Sequence, residues 1–443
     1  MYAAFEATGF GQIWLAVLSG NSGRFAVILV AGWEAYRLGH HSSLWPSLVS
    51  MLLLVPSMAF GLFAGGVADR RNRARMAAAG QLINALACVL AAGLVVVGQL
   101  SLPTLLALTA LVGIGNSVQG PAWQAMIPGL VGRERLLNAS MATRIAQQGA
   151  ELTGPAVATV VLAGAGPGAA FGVCAGFYVL ALSLVWQLRG RVQTTNVGPA
   201  QVGILGPIKE GIAYVRREQP LGTLLLWVGL HCSLTMASIG ILPAVATANL
   251  GGNAAAYGLL LTSFGLGSVL GPLILMRVGG RVAPVPSLVV SGVLSGLPLI
   301  SLGLVHVAAV AVASAALAGG AQSVFMAGIY SANQGRTADS VRGRVASVQL
   351  SLTTGAMGLA SVGWGALVAL VAPGIVLAVP GLLFAVACVP FAMRSRRIRE
   401  GLAEPGVTGK AGVASPGPAG PVLGSVLIAQ GPSGDTGTHD EPV

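Results

Sequence analysis

The chain has 443 residues, 54% of them hydrophobic and only 8% charged, with a mean hydropathy of +0.80 and a formal net charge of +11. A soluble globular protein carries roughly 25% charged residues, so a water-soluble fold of this composition is excluded. The basic excess does not point to nucleic acid, because the Lys and Arg residues occur in short clusters between apolar runs, where they act as topology signals.

A bilayer core of about 30 Å takes about 20 residues of helix to cross. On that measure the apolar runs predict twelve spans, near 10–36, 44–68, 76–97, 103–127, 137–164, 167–188, 221–248, 254–277, 284–305, 307–332, 345–371 and 374–393. Residues 1–23 contain no Lys or Arg, so the first run lacks the basic flank of a secretory leader and is expected to be a retained helix. The predicted fold class is an all-α membrane protein. Its four cysteines, Cys88, Cys174, Cys232 and Cys388, all fall inside apolar runs and read as small buried hydrophobes.

The connections after even-numbered spans, with the C-terminal flank, hold 20 of the 24 Lys and Arg residues, whereas the odd-numbered connections hold only Arg37. By the positive-inside rule the even connections and both termini face the cytoplasm, the expected setting being a bacterial inner membrane. Residues 191–220 form a polar linker that ends in an amphipathic stretch, with Ile208, Ile212 and Val215 set against Lys209, Glu210, Arg216 and Arg217. It divides an N-terminal six-helix unit, 1–190, from a C-terminal one, 221–396. Residues 397–443 are expected to be a disordered cytoplasmic tail; 401–443 alone hold 10 Gly and 6 Pro. A weak internal repeat supports two related halves: Asn138-Ala139-Ser140 precedes Val345-Ala346-Ser347 by 207 residues, and Gly65 matches Gly271 at nearly that offset.

The strongest local pattern is Gly65-Gly66-Val67-Ala68-Asp69-Arg70-Arg71-Asn72-Arg73-Ala74-Arg75. It resembles the loop signature of the major facilitator superfamily. The resemblance implies a major facilitator fold of two six-helix bundles, and a conformational latch at Gly65, Asp69, Arg70, Arg73 and Arg75. Such a latch closes the cytoplasmic side when the Asp pairs with Arg. In the second half Gly271 and Arg281 remain but Leu275 stands where the Asp would be, so the latch is expected to be asymmetric. Further segments are similar to one branch, the drug and siderophore exporters related to the enterobactin exporter. They are Gly120-Pro121-Ala122-Trp123, Gly154-Pro155-Ala156, Glu210-Gly211-Ile212-Ala213-Tyr214-Val215-Arg216-Arg217 and Val341-Arg342-Gly343-Arg344. This branch implies a secondary transporter exporting a small organic molecule (drug, siderophore or other secondary metabolite) by proton antiport and alternating access, working as a monomer. An importer or lipid flippase on the same fold, or a non-transporting membrane sensor, are the alternatives.

Ionisable groups inside a membrane are costly and are functional candidates by default. Arg24 falls mid-helix in span 1 and Glu151 mid-helix in span 5, and they are expected to pair, for structure or for transport. Glu34, beside Trp33 near the other end of span 1, is the candidate proton carrier, with an exposed helix-end carboxylate as the plainer reading. Asn116, Gln119 and Trp123 in span 4, His231 in span 7, and Gln322, Tyr330 and Asn333 in span 10 are expected to line an amphipathic substrate cavity with Trp33. No Gly-x4-Gly-Lys-Ser/Thr loop, His-Glu-x-x-His or supported Gly-x-Ser-x-Gly motif is present. Neither an enzyme, nor a cofactor, nor a metal is expected. The expected partners are the lipid bilayer, a proton and a small-molecule substrate.

Overall fold

A computed structural model describes residues 4–68, 73–190, 213–215, 217–278, 284–337 and 342–394. Every described element is helical, as lipid requires: without water to accept its hydrogen bonds, backbone is stable only where it satisfies itself. Helices α1 (Phe10–Leu38), α2 (Leu44–Ala68) and α3 (Arg73–Val96) are followed by a continuous helical run, Leu102–Gln187. That run is three spans. Gly132 (φ 74°) and Gly166 (φ 80°) take conformations closed to other residues, and they divide it into α4 (102–131), α5 (133–165) and α6 (167–187). The spans α8 (Ala254–Val278), α9 (Pro284–Leu304), α10 (Ala308–Arg336), α11 (Arg342–Leu367) and α12 (Pro373–Arg394) agree with the hydropathy reading to within a few residues.

The seventh span, α7, departs from it. It runs as α-helix over Gln219–Leu234, tightens to 3-10 over Met236–Ile241, and resumes as α-helix over Leu242–Leu250. At the tight stretch Gly240 lies against Ser47 of α2 and Ser361 of α11, each hydroxyl oxygen within 2.7 Å of where a Cβ would stand. Three helices meet there more closely than a side chain on residue 240 would allow.

Small residues bring the remaining helices together. Gly113 of α4 faces the Leu52 carbonyl of α2, Gly267 and Gly271 of α8 face Ala316 and Gly320 of α10, and Gly296 and Gly303 of α9 face Gly381 and Gly374 of α12. In lipid such close approach, rather than a hydrophobic effect, holds helices together. Contacts between the two halves run along α2 with α11 and α5 with α8.

The buried apolar core has a consequence for function. At the end opposite the basic connections one cluster is shared by both halves, from Val27, Leu29 and Tyr178 across to Ile241, Tyr257 and Leu299. At the basic end the core is divided. Phe10, Trp123 and Val185 belong to an N-terminal cluster, and Trp227, Phe325 and Phe384 to a separate C-terminal one. The two bundles share one apolar core at one end and keep separate cores at the other, and the interval between the separate cores is taken as a cleft toward the basic end.

The linker expectation falls largely outside the described residues, as do the tail and Asp69 and Arg70 of the loop signature. One prediction follows from the seams. Gly113→Leu forces α2 and α4 apart, and overpacking of this kind costs about 1–3 kcal/mol. Its thermal midpoint in detergent should fall below that of the wild type, while Gly93→Leu, at a position with open space around it, should leave the midpoint unchanged.

Candidate functional site: the apex of the cleft

Arg24 is the midpoint of α1, and Glu151 lies near the middle of α5. Both sit between the shared core and the N-terminal cluster, at the apex of the cleft. The sequence is laid out for this. Gly20 and Gly23 on α1 make room for the rings of Trp123 and Tyr178, and Gly154 on α5 lets α1 approach through Ser22. Ser22 Oγ and Thr153 Oγ1 then lie 2.6 Å apart and Ser19 Oγ donates to the Phe177 carbonyl at 2.7 Å, so α1, α5 and α6 hold fixed positions around the two charges.

The expected ion pair is not formed. Glu151 is the acidic group acting on Arg24, yet no oxygen of Glu151 comes within 4 Å of an Arg24 nitrogen. Both side chains are half-buried. Arg24 makes no hydrogen bond among the described residues. Its Nε is sealed from solvent without a partner, its terminal nitrogens are not sealed, and its guanidinium carbon stands 4.7 Å from the centre of the Phe25 ring. Glu151 lies across the α5–α8 seam from Ser268, whose hydroxyl is within hydrogen-bonding reach and also donates to the Gly265 carbonyl at 2.9 Å. Gly265 packs so tightly on the Glu151 backbone that it has no room for a Cβ.

Two turns toward the basic end from Glu151, on the same face of α5, Arg144 stands over the ring of Tyr330 on α10, 5.3 Å from its centre. This is a cation–π contact across the cleft. Of the expected cavity residues, Tyr330 is therefore at the cleft.

The α4 group is elsewhere. Asn116, Gln119 and Trp123 are buried within the N-terminal bundle, where Asn84 Nδ2 and Gln119 Nε2 both donate to Asn116 Oδ1, at 3.0 and 2.9 Å. Amide groups in the hydrocarbon satisfy one another before they face a cavity. Asn333 is likewise buried and donates from Nδ2 to Gln349 Oε1 of α11 at 3.0 Å. Gln322 is buried in α10. His231 is fully buried in the aromatic cluster of the C-terminal bundle, its ring 4.3 Å from Phe325 and 4.9 Å from Phe384.

Glu34 is neither exposed nor unpaired. It is 1% exposed, and it accepts hydrogen bonds from Arg37 Nε, shared between its two oxygens at 3.3 and 3.1 Å, and from Nη2 at 2.6 Å. Its neighbour Trp33 stacks on Tyr257 of α8 at 6.2 Å, and the Tyr257 hydroxyl donates to the Ile28 carbonyl at 3.5 Å. These contacts join the two halves where the cleft is closed. Arg73 of the loop signature donates from Nη1 to the Ala125 carbonyl of α4 at 2.8 Å, while Arg75 is exposed and Gly65 lies within α2.

Sequence reasoning missed Gln81, Asn84, Tyr178, Tyr257 and Ser268. Gln81 and Asn84 carried a usable signal, being amides in the middle of an otherwise apolar span. Asn116→Leu leaves the Asn84 and Gln119 amide groups buried without their acceptor, at about 1–3 kcal/mol. A fall in thermal midpoint is expected, and Asn84→Leu combined with Asn116→Leu should recover part of it.

The family described as transmembrane secretion effector, of the major facilitator superfamily, matches residues 1–405. No curated protein matches the sequence. Among solved structures, a POT family transporter in complex with 5-aminolevulinic acid superposes with a TM-score of 0.70 at 11% identity, covering 88% of this chain and 97% of that one. The peptide transporter POT in complex with sulfate gives a TM-score of 0.71 at 13% identity, covering 89% and 96%. Likeness at such identities establishes the fold, and the family match carries the rest: the chain is a multi-pass membrane transporter that belongs to the transmembrane secretion effector family of the major facilitator superfamily.

Proposed function

We propose that the chain exports a small organic molecule, a drug, siderophore or other secondary metabolite, by proton antiport with alternating access. The observation that carries this reading is the pair of opposite charges, Arg24 and Glu151, standing unpaired and half-buried at the apex of a cleft open at one end. A carboxyl group beside an inter-bundle seam can take up and release a proton as access alternates, and the seam it lies on is the one that must loosen when the bundles rock. Glu34, held by Arg37, suits a fixed structural charge instead. The family's description as a secretion effector favours export over import.

In this reading the basic end is cytoplasmic, both termini lie there, and the membrane is a bacterial inner membrane. The protein acts as a monomer of two bundles, 1–190 and 221–396, joined by a cytoplasmic linker. Gly65, Asp69, Arg70, Arg73 and Arg75 latch the cytoplasmic side when it closes. Tyr330 serves the cargo path directly and Trp33 closes it at the far end; the buried Asn116, Gln119, Trp123, His231, Gln322 and Asn333 support it from within the bundles.

Cells expressing the protein and loaded with a panel of dyes and siderophores should lose at least one compound, and a protonophore should stop the loss. Glu151→Gln should reduce the protonophore-sensitive rate by about 5- to 150-fold, the ordinary range for a lost coupling between sites. Accumulation instead of loss would make the protein an importer. A fluorescent protein fused at the C-terminus should glow and an alkaline phosphatase fused there should be silent; the reverse result overturns the orientation.

A further inference from the structure

The charges at the apex also specify what the cargo looks like. Arg24 is at the centre of a membrane span, where an uncompensated guanidinium is least tolerable. Arginines so placed normally close onto a carboxylate in a two-pronged hydrogen-bonded pair. A carboxylate is present and near enough to act on Arg24, yet the pair is open by more than 4 Å and every Arg24 nitrogen is without a hydrogen bond among the described residues. The Tyr178 ring packs against Gly23 one residue away, and its buried hydroxyl lies near the Asn116 amide.

Glu151 is held back on the other side. Its helix is pressed against Gly265, and Ser268 of α8 lies beside its carboxyl group. Arg24 therefore lies beside Tyr178 of α6 and Glu151 beside Ser268 of α8, with more than 4 Å between their oppositely charged atoms. A purely anionic cargo would meet Glu151, and a purely cationic one would meet Arg24. A molecule with one charge of each sign meets neither penalty.

We propose that the apex of the cleft is a zwitterion site, in which Arg24 takes the cargo's anionic group and Glu151 takes its protonatable amine. This rests on the exporter reading and accounts for its coupling. A proton on Glu151 removes the partner of the amine, so proton and cargo exclude one another, as exchange requires. The charged and titratable groups facing the site are Arg24 on α1, Glu151 on α5 and Tyr178 on α6, with the Ser268 hydroxyl on α8. Arg144, lower on α5, is engaged with Tyr330 at the mouth.

Full-length protein in lipid nanodiscs is titrated calorimetrically with three probes built on one ring: 4-(aminomethyl)benzoate, which is a zwitterion, 4-methylbenzoate, and benzylamine. The zwitterion should bind at least about tenfold more tightly than either singly charged probe, since each of those leaves one charge of the site unpaired. Its binding should weaken as pH falls toward the protonation of Glu151. Arg24→Gln should erase its advantage over benzylamine, and Glu151→Gln should erase both its advantage over 4-methylbenzoate and the pH dependence.

Equal binding of the three probes, a preference that survives both substitutions, or no binding by any probe overturns the proposal. A ligand-free measurement guards against variants that misfold. Thermal midpoints of Arg24→Met and Glu151→Gln at or above wild type support a ligand site. Falls in both that the double variant restores make the charges a structural pair and overturn it. The exporter reading is judged separately. Protonophore-sensitive efflux with no zwitterion preference leaves export standing without this site, and zwitterion binding without efflux does the opposite.

Discussion

Inside the hydrocarbon a backbone N–H or C=O without a partner costs several kcal/mol, and nothing in the solvent can supply one. That constraint makes every described element of this chain a helix and confines each break in a helix to the membrane surface or to the inside of the protein. Gly132 and Gly166 turn the chain at its ends, where water is near, while the 3-10 stretch of α7 is buried between α2 and α11. Side chains follow the rule in part, Gln81 and one polar atom each of Asn84, Asn116 and Gln119 being buried without a partner among the described residues. Asn84, Asn116 and Gln119 form one hydrogen-bonded group and Asn333 with Gln349 another, each inside its own bundle.

Where helices cannot be joined by a hydrophobic effect, their spacing decides the architecture. Glycines facing backbone carbonyls tie α2 to α4, α8 to α10 and α9 to α12. The inter-bundle seams are of the same kind but are not uniform along their length. The aromatic stack of Trp33 on Tyr257 and the Ser47–Gly240–Ser361 meeting lie at the far end, where the apolar core is shared. Toward the basic end the cores separate, and the Arg144–Tyr330 contact is a polar bridge across what has become a cleft. In the proposed function this arrangement corresponds to one of the two states that alternating access needs.

The charges inside the spans are kept in two ways. Arg24 and Glu151 are half-buried, whereas Glu34, which is sealed, is neutralised by Arg37 from the next turn. Partial exposure and pairing are alternative ways to keep a charge in a membrane protein, and α1 shows both. In the proposed function this difference separates a charge of the scaffold from charges available to a cargo.

Most of the architecture was legible in the sequence because its causes are one-dimensional. Span length follows from bilayer thickness, and family from the Gly65–Arg75 signature. Arg24 and Glu151 also stood out, since a charge in an apolar run needs no partner to be noticed. Tertiary structure alone decided which polar residues face the cleft. Asn116 and Tyr330 look alike in a linear reading, yet one turns inward to Asn84 and the other reaches Arg144, because rotation about a helix axis is set by its neighbours. For the same reason the opening of the Arg24–Glu151 pair, with Tyr178 of α6 beside one charge and Ser268 of α8 beside the other, could be read only from the packed helices.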